Sequence, residues 1–184
     1  MDNRVERRDK CVGALVGTAV GDAVGELAFR YPAKERLLAE ADGRDQLVYT
    51  DDTAMAVGLA ESIVEVGELD QEHLGDTFRE NFRREPWRGY ASGPPTVFSR
   101  VARESISYVE AARTLYGGEG SFGNGAAMRI AAVGLFFHDV PDLYEKASLS
   151  AKVTHAHPIG VDGAAVQAQA VAVDARRQAA EGGG

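Results

Sequence analysis

Tyr49-Thr50-Asp51-Asp52-Thr53-Ala54-Met55-Ala56 is the stretch that decides how this chain folds. Three oxygen-bearing side chains in succession, Thr50, Asp51 and Asp52, precede an apolar series at Met55, Leu59, Ile63 and Val66. The series recurs at helical spacing, so the sequence predicts a helix that starts at or just after the acidic pair and stops at Gly67. Two readings of that start are open. Thr50 or Asp51 can be an N-cap, with the next carboxylate facing the positive helix end. The same hard oxygens can also converge on a divalent cation such as Mg²⁺, which takes carboxylate, hydroxyl and water ligands.

Upstream, residues 4–24 read as a helix, with Gly13, Gly17, Gly21 and Gly25 spaced by four along one face. A glycine inside a helix costs about 1 kcal/mol relative to alanine. A helix with several must recover that through close approach of another backbone or a ligand, and a tightly packed central helix is the expectation. Asp22 lies within the stripe, and an acid buried there needs a partner. Cys11, the only cysteine, sits in the same small-residue segment and reads as a core residue. A single cysteine excludes an internal disulfide and a multi-cysteine zinc site.

Downstream, residues 26–48 read as loop with one helical turn near 33–40. An amphipathic helix over 70–84 carries Leu74, Phe78 and Phe82 on one side and ends at Pro86. Residues 86–95 are an irregular connection whose Trp87 and Tyr90 either line a pocket or pack on a helix. A short helix follows over 96–103. Ser107-Tyr-Val-Glu110 has capping-box spacing, and Gly117 ends the helix it starts. Residues 117–125, Gly-Gly-Glu-Gly-Ser-Phe-Gly-Asn-Gly, lead into the apolar run from Ala126. Gly118 to Gly123 formally matches a dinucleotide fingerprint, but that motif needs a preceding strand and the segment here is helical. A glycine loop entering a helix still bares N–H groups suited to phosphate; a flexible turn is the other reading.

A helix over 139–153, with Pro141 in its first turn, leads to Thr154-His155-Ala156-His157-Pro158. Pro158 disfavours helix at His157 and no third nitrogen ligand is near, so this is no histidine metal site. One histidine contacts a ligand, or both are solvated. The last helix is expected over 159–177 and a disordered tail over 178–184. There is no internal repeat and no strand-like alternation, so residues 1–184 read as one all-α domain.

Composition narrows the function. The 184 residues are 45% hydrophobic with a net charge of −8, a globular balance that excludes binding to a nucleic-acid backbone. The basic residues Arg4, Arg7, Arg8 and Lys10 alternate with Asp2, Glu6 and Asp9, as on a solvated helix face. No apolar run reads as long enough to cross a membrane and no signal-peptide core is present, so the expectation is a soluble cytoplasmic protein without a membrane partner.

Four stretches together resemble one family. Gly13-Ala-Leu-Val-Gly17-Thr-Ala-Val-Gly21-Asp-Ala-Val-Gly25, Thr50-Asp-Asp-Thr-Ala-Met, Gly120-Ser-Phe-Gly-Asn-Gly-Ala-Ala-Met-Arg129 and Thr154-His155-Ala are similar, in the same order, to the ADP-ribosylglycohydrolases. The resemblance implies a compact, orthogonal multi-helix fold and two Mg²⁺ or Mn²⁺ ions. It also implies hydrolysis of the bond between ADP-ribose and a protein or small-molecule acceptor. Thr50, Asp51 and Asp52 would be metal ligands, with Asp51 and Asp52 catalytic. Ser121, Phe122, Gly123, Asn124 and His155 would lie against ADP-ribose.

Two departures from the family pattern bear on the chemistry. Leu27 and Phe29 stand where members commonly have proline and glutamate, leaving Glu26 or Glu35 as acidic substitutes. The second acidic motif of the family, Asp-x-Asp-Thr, is absent from these residues, and the C-terminal helices that carry it are expected to be missing. Fewer than two ions, or a second chain that supplies carboxylates, would follow, and missing helices would leave the glycine stripe or its neighbours uncovered. The alternatives to a hydrolase are an inactive module that binds ADP-ribose or a related nucleotide, and a helical interaction domain.

Overall fold

The computed structural model describes the backbone of residues 3–181 and the side chains of residues 8–177. Among these, every regular element is helical: α1 (Asn3–Arg30), α2 (Lys34–Asp42), α3 (Asp51–Val66), α4 (Gln71–Arg84), α5 (Gly93–Glu104), α6 (Tyr108–Arg113), α7 (Ala131–Phe136), α8 (Leu143–Lys152) and α9 (Pro158–Glu181). The all-α expectation is met. Of the expected tail, residues 178–181 continue the backbone of α9, and residues 182–184 lie outside the described residues.

Local chemistry explains most boundaries. Gly67 closes α3 in the left-handed conformation, φ 80°, with its N–H on the Ile63 carbonyl. Asp70 caps α4 by accepting from the His73 N–H at 2.8 Å. The Ser107–Glu110 capping box forms in both directions. Where expectation and structure differ, helix is usually gained. α1 runs on to Arg30 because Glu26 to Arg30 are good helix formers, and Pro32 lies just beyond its end. α5 starts at Gly93 because Pro94 and Pro95 occupy its first positions, where a missing N–H costs nothing. By contrast, α6 stops at Arg113, before a 3₁₀ turn in which Tyr116 and Gly117 adopt positive φ. The glycine loop leads only into a 3₁₀ turn over Asn124–Ala126, and α7 does not begin until Ala131. The helix expected directly after it, and the dipole it would lend to an anion there, are not formed.

The core lies between α3, α4, α5, α6, α7, α8 and α9. Met55, Leu59 and Ile63 of α3 meet Leu74 and Phe78 of α4. Val66, the fourth member of the expected stripe, is 38% exposed at the helix end. α8 and α9 pack through alanines, Ala147 and Ala151 against Ala164, Ala168 and Ala172, all fully buried. Small side chains let these helices approach closely, and Gly75 of α4 extends the device: a Cβ there would lie 2.2 Å from the Tyr108 ring.

α1 overturns three expectations. It packs on α3 and α7, yet a Cβ added at Gly13, Gly17, Gly21 or Gly25 would meet nothing within 4 Å. The stripe is open, not packed, as expected for a surface left uncovered, and Val12, Val16 and Val20 beside it are half exposed. Cys11 is exposed, not a core residue. Residues Arg8–Arg30 are also long and apolar enough to cross a membrane by length and composition, against the expectation that no apolar run is.

The glycines should therefore respond in opposite directions. Gly75→Ala is expected to lower stability in urea unfolding by about 1–3 kcal/mol, the usual cost of overpacking. Gly17→Ala should raise it by up to about 1 kcal/mol through helix propensity.

Candidate functional site

A cleft of about 630 Å³ opens where the second half of α1, the start of α3, the 85–92 loop and the glycine loop meet. One wall is acidic. Thr50 holds the N-cap position of α3 but makes no side-chain capping bond, so neither Thr50 nor Asp51 acts as the expected cap. The cap comes from α1 instead. Asp22 accepts four hydrogen bonds: its Oδ1 from Thr50 Oγ1 at 2.6 Å, and its Oδ2 from Thr50 N–H at 2.8 Å, Thr53 N–H at 3.1 Å and Thr53 Oγ1 at 2.6 Å. Hydrogen bonds to a charged acceptor are the strong ones, so this carboxylate fastens α1 to the first turn of α3.

The same wall is fastened from behind. The Arg88 guanidinium stacks 3.7 Å over the Tyr49 ring, donates to the Tyr49 carbonyl at 3.2 Å and pairs with Glu85 at 2.6 Å. The backbone entering Thr50 is thus held on both sides, and Asp51 and Asp52 follow it into the cleft. Burial raises the Asp51 carboxyl from 3.8 to about 6, with help from the charges of Asp52 and Asp22. Burial also raises Asp52, with Asp22 and Glu26 contributing. A wall of crowded carboxylates favours a cation. Because Thr50 Oγ1 gives its proton to Asp22, its lone pairs stay free to join Asp51 and Asp52 as hard-oxygen donors. The set is short, however: among the described residues no three His, Cys, Asp or Glu side chains group closely enough to hold a metal ion.

The opposite wall is the glycine loop seated on residues 154–160. A Cβ on Gly125 would fall 2.6 Å from His155 Cε1, and one on Gly120, at φ 78°, would fall 2.7 Å from the His157 N. These glycines are required by close approach to the histidine segment. His155 is 5% exposed and lines the cleft, its Nδ1 2.8 Å from Thr154 Oγ1. Burial pushes its pKa down to about 3, with the Arg129 charge adding to the effect, so the ring is neutral.

Arg129 is the largest fully buried side chain. Its Nη1 donates to Thr154 Oγ1 at 2.9 Å and the Gly125 carbonyl at 3.1 Å, and its Nη2 to the Ser150 carbonyl at 2.9 Å. Phe78 lies 4.7 Å beneath the guanidinium. Among the described residues no carboxylate pairs with it, and burial lowers its pKa to about 9, which leaves it charged at neutral pH.

Thr50, Asp51, Asp52, Ser121, Gly123, Asn124 and His155 line this one cleft. Phe122 does not; it is 64% exposed and turns its ring to His157, centroids 5.4 Å apart. Nor does Trp87, which is 70% exposed, while Tyr90 packs edge-on against Phe82. Of the two acidic substitutes, Glu26 lines the cleft and Glu35 does not. Sequence reasoning missed the part of Asp22, which only the demand for a partner hinted at, and of Arg129, Phe29 and Tyr116, for which periodicity carries no signal.

A family model of ADP-ribosylglycohydrolases matches residues 3–182. The chain belongs to the ADP-ribosylglycohydrolase family. ADP-ribosylhydrolase ARH3 of Gallus gallus is 40% identical over 141 residues, covering 76% of this chain and 38% of that protein. ARH3 of Homo sapiens is 41% identical over 128 residues, covering 69% of this chain and 35% of that protein. ARH3 of Danio rerio is 36% identical over 170 residues, covering 86% and 46%. The match thus takes in less than half the length of each relative. The solved structure "ADP-ribosylglycohydrolase-related protein complex" superposes with a TM-score of 0.67 at 26% identity, over 93% of this chain and 58% of that one. The fold of this ADP-ribosylglycohydrolase chain is therefore that of its family.

Two measurements probe the acidic wall. Asp22→Asn should cost about 2–3 kcal/mol in chemical unfolding, because a charged acceptor is removed from four donors. The folded pKa of Asp51 lies above its unfolded value, so its ionisation disfavours the fold as pH rises from about 4 through about 6. In metal-free buffer Asp51→Asn should then melt about 2–4 °C higher than the parent at pH 8, the shift made by 1 kcal/mol at this size, and no higher at pH 3.

Proposed function

We propose that the cleft binds ADP-ribose attached to an acceptor and that the chain takes part in hydrolysing the glycosidic bond between them. The observation that carries this reading is that a wall of hard oxygens and a wall of glycine loop and neutral histidine face one another across a single cleft. The family membership and the ARH3 relatives support it.

Thr50, Asp51 and Asp52 would hold a magnesium or manganese ion, a second ion needing carboxylates beyond these. When bound, such a cation supplies charge stabilisation and a template for water and ribose hydroxyls. The chain's own residues do the rest by position. Asp22 and Arg88 keep the acidic turn rigid, so the carboxylates meet the reacting end of the ligand without rearranging. Ser121 Oγ, the Asn124 amide and the His155 imidazole offer polar contacts to the ADP portion, which supplies binding energy away from the bond that breaks. Gly21 and Gly25 add no side chains to the α1 side of the cleft beside Asp22, Glu26 and Phe29, which gives the ligand room.

A second reading, an ADP-ribose-binding module without turnover, is favoured by one observation: no three metal-ligating side chains group together among the described residues. Calorimetric titration of ADP-ribose into the chain, with and without Mg²⁺ and beside Asp51→Ala, separates the two. Hydrolysis predicts Mg²⁺-dependent binding weakened about tenfold or more by the substitution, with release of ADP-ribose from a modified acceptor. Metal-independent binding, untouched by Asp51→Ala, means the module. No binding by a folded sample rejects both.

A further inference from the structure

The hydrogen-bond polarity at His155 is decided by a residue that never touches the cleft. Arg129 can only donate, and its Nη1 takes one lone pair of Thr154 Oγ1 at 2.9 Å. The Thr154 hydroxyl is fully buried, and the acceptor recorded within its reach is His155 Nδ1, at 2.8 Å. If Nδ1 carried the ring proton, the hydroxyl would accept twice and its own hydrogen would be buried with nothing to meet, the costlier arrangement. The hydroxyl therefore donates to Nδ1, and the ring proton of the neutral imidazole sits on Nε2. That atom lies against Gly123 and Gly125 on the cleft side, and among the described residues it makes no hydrogen bond.

We infer that Arg129 is a positioning residue that, through Thr154, locks His155 in its Nε2–H form, so that the cleft meets its ligand with a neutral donor. The same guanidinium holds the Gly125 carbonyl and the Ser150 carbonyl, which fixes the glycine loop and the end of α8 to the relay. A neutral donor selects an acceptor atom, such as a phosphate, hydroxyl or carbonyl oxygen, by direction and not by charge. The inference rests on the reading of the cleft as an ADP-ribose site only for the identity of that acceptor; the tautomer itself follows from the protein.

Long-range proton–nitrogen correlation spectra of the imidazoles at pH 7 test it without ligand, His155→Asn serving to identify the signals of His155. The expected result is a proton on Nε2 in the parent chain, loss of that preference in Thr154→Val and its return in Thr154→Ser. A proton on Nδ1, an imidazolium, or a spectrum that Thr154→Val leaves unchanged would overturn the inference. Arg129→Lys, whose donors all radiate from one nitrogen and cannot reproduce the separate Nη1 and Nη2 of the guanidinium, should disturb the His155 signals in the same sense, and a poorly folded sample there leaves the threonine pair to decide. ADP-ribose affinity should fall about tenfold in Thr154→Val and recover in Thr154→Ser. If the parent binds no ADP-ribose while the tautomer is as stated, the ligand assignment fails and the relay stands.

Discussion

Asp22 is the constraint on which the acidic wall depends. One carboxylate on α1 receives two backbone N–H groups and two hydroxyls from the first turn of α3. It supplies from a distance the cap that Thr50 would otherwise have to give, and this frees Thr50 to face the cleft. The arrangement also explains why like charges can be held so near one another. Four donors hold the Asp22 carboxylate in place, while burial raises the carboxyl of Asp51 and the nearby charges of Asp52 and Asp22 add to it. Stability spent on crowding acids is a common mark of a site built to receive a cation.

Arg129 mirrors Asp22 on the other side. Its charge is buried without a carboxylate and is met by the carbonyls of Gly125 and Ser150, the Thr154 hydroxyl and the Phe78 ring. An unpaired buried charge is costly, so its retention in the core reflects what it holds in place: the glycine loop, the end of α8 and the orientation of His155. Each wall of the cleft is thus held by a charged side chain that bonds to a segment distant in sequence, Asp22 to the start of α3 and Arg129 to the end of α8 and Thr154.

How much of this could be read from the residues depends on range. The start of α3, the left-handed stop at Gly67 and the capping box at Ser107 are local chemistry and were legible. So was the gathering of the acidic pair, the glycine loop and His155, through the resemblance that the family match bears out. The misses are tertiary. Spacing alone made the glycine stripe look packed, but whether anything lies over Gly13 is a property of the fold. The exposure of Cys11 was missed for the same reason. Phe122 shows the limit of motif transfer, since a loop residue's side chain goes where its neighbours leave room, here toward His157. Asp22 acts through partners 28 to 31 residues away and Arg129 through Ser150 and Thr154, 21 and 25 residues away, and no periodicity reports such bonds.

The open glycine face of α1 bears on how long the acidic wall survives thermal fluctuation. Four interior glycines weaken this helix, and nothing packs over them to compensate. Segments with few buried contacts open locally, well below the cost of unfolding the whole chain. The amides of Thr50 and Thr53 have no partner within α3 and are protected only by Asp22. Their hydrogen-exchange protection therefore belongs to α1 and not to the helix they start, so the wall that faces the ligand opens and closes with the glycine-rich helix beside it.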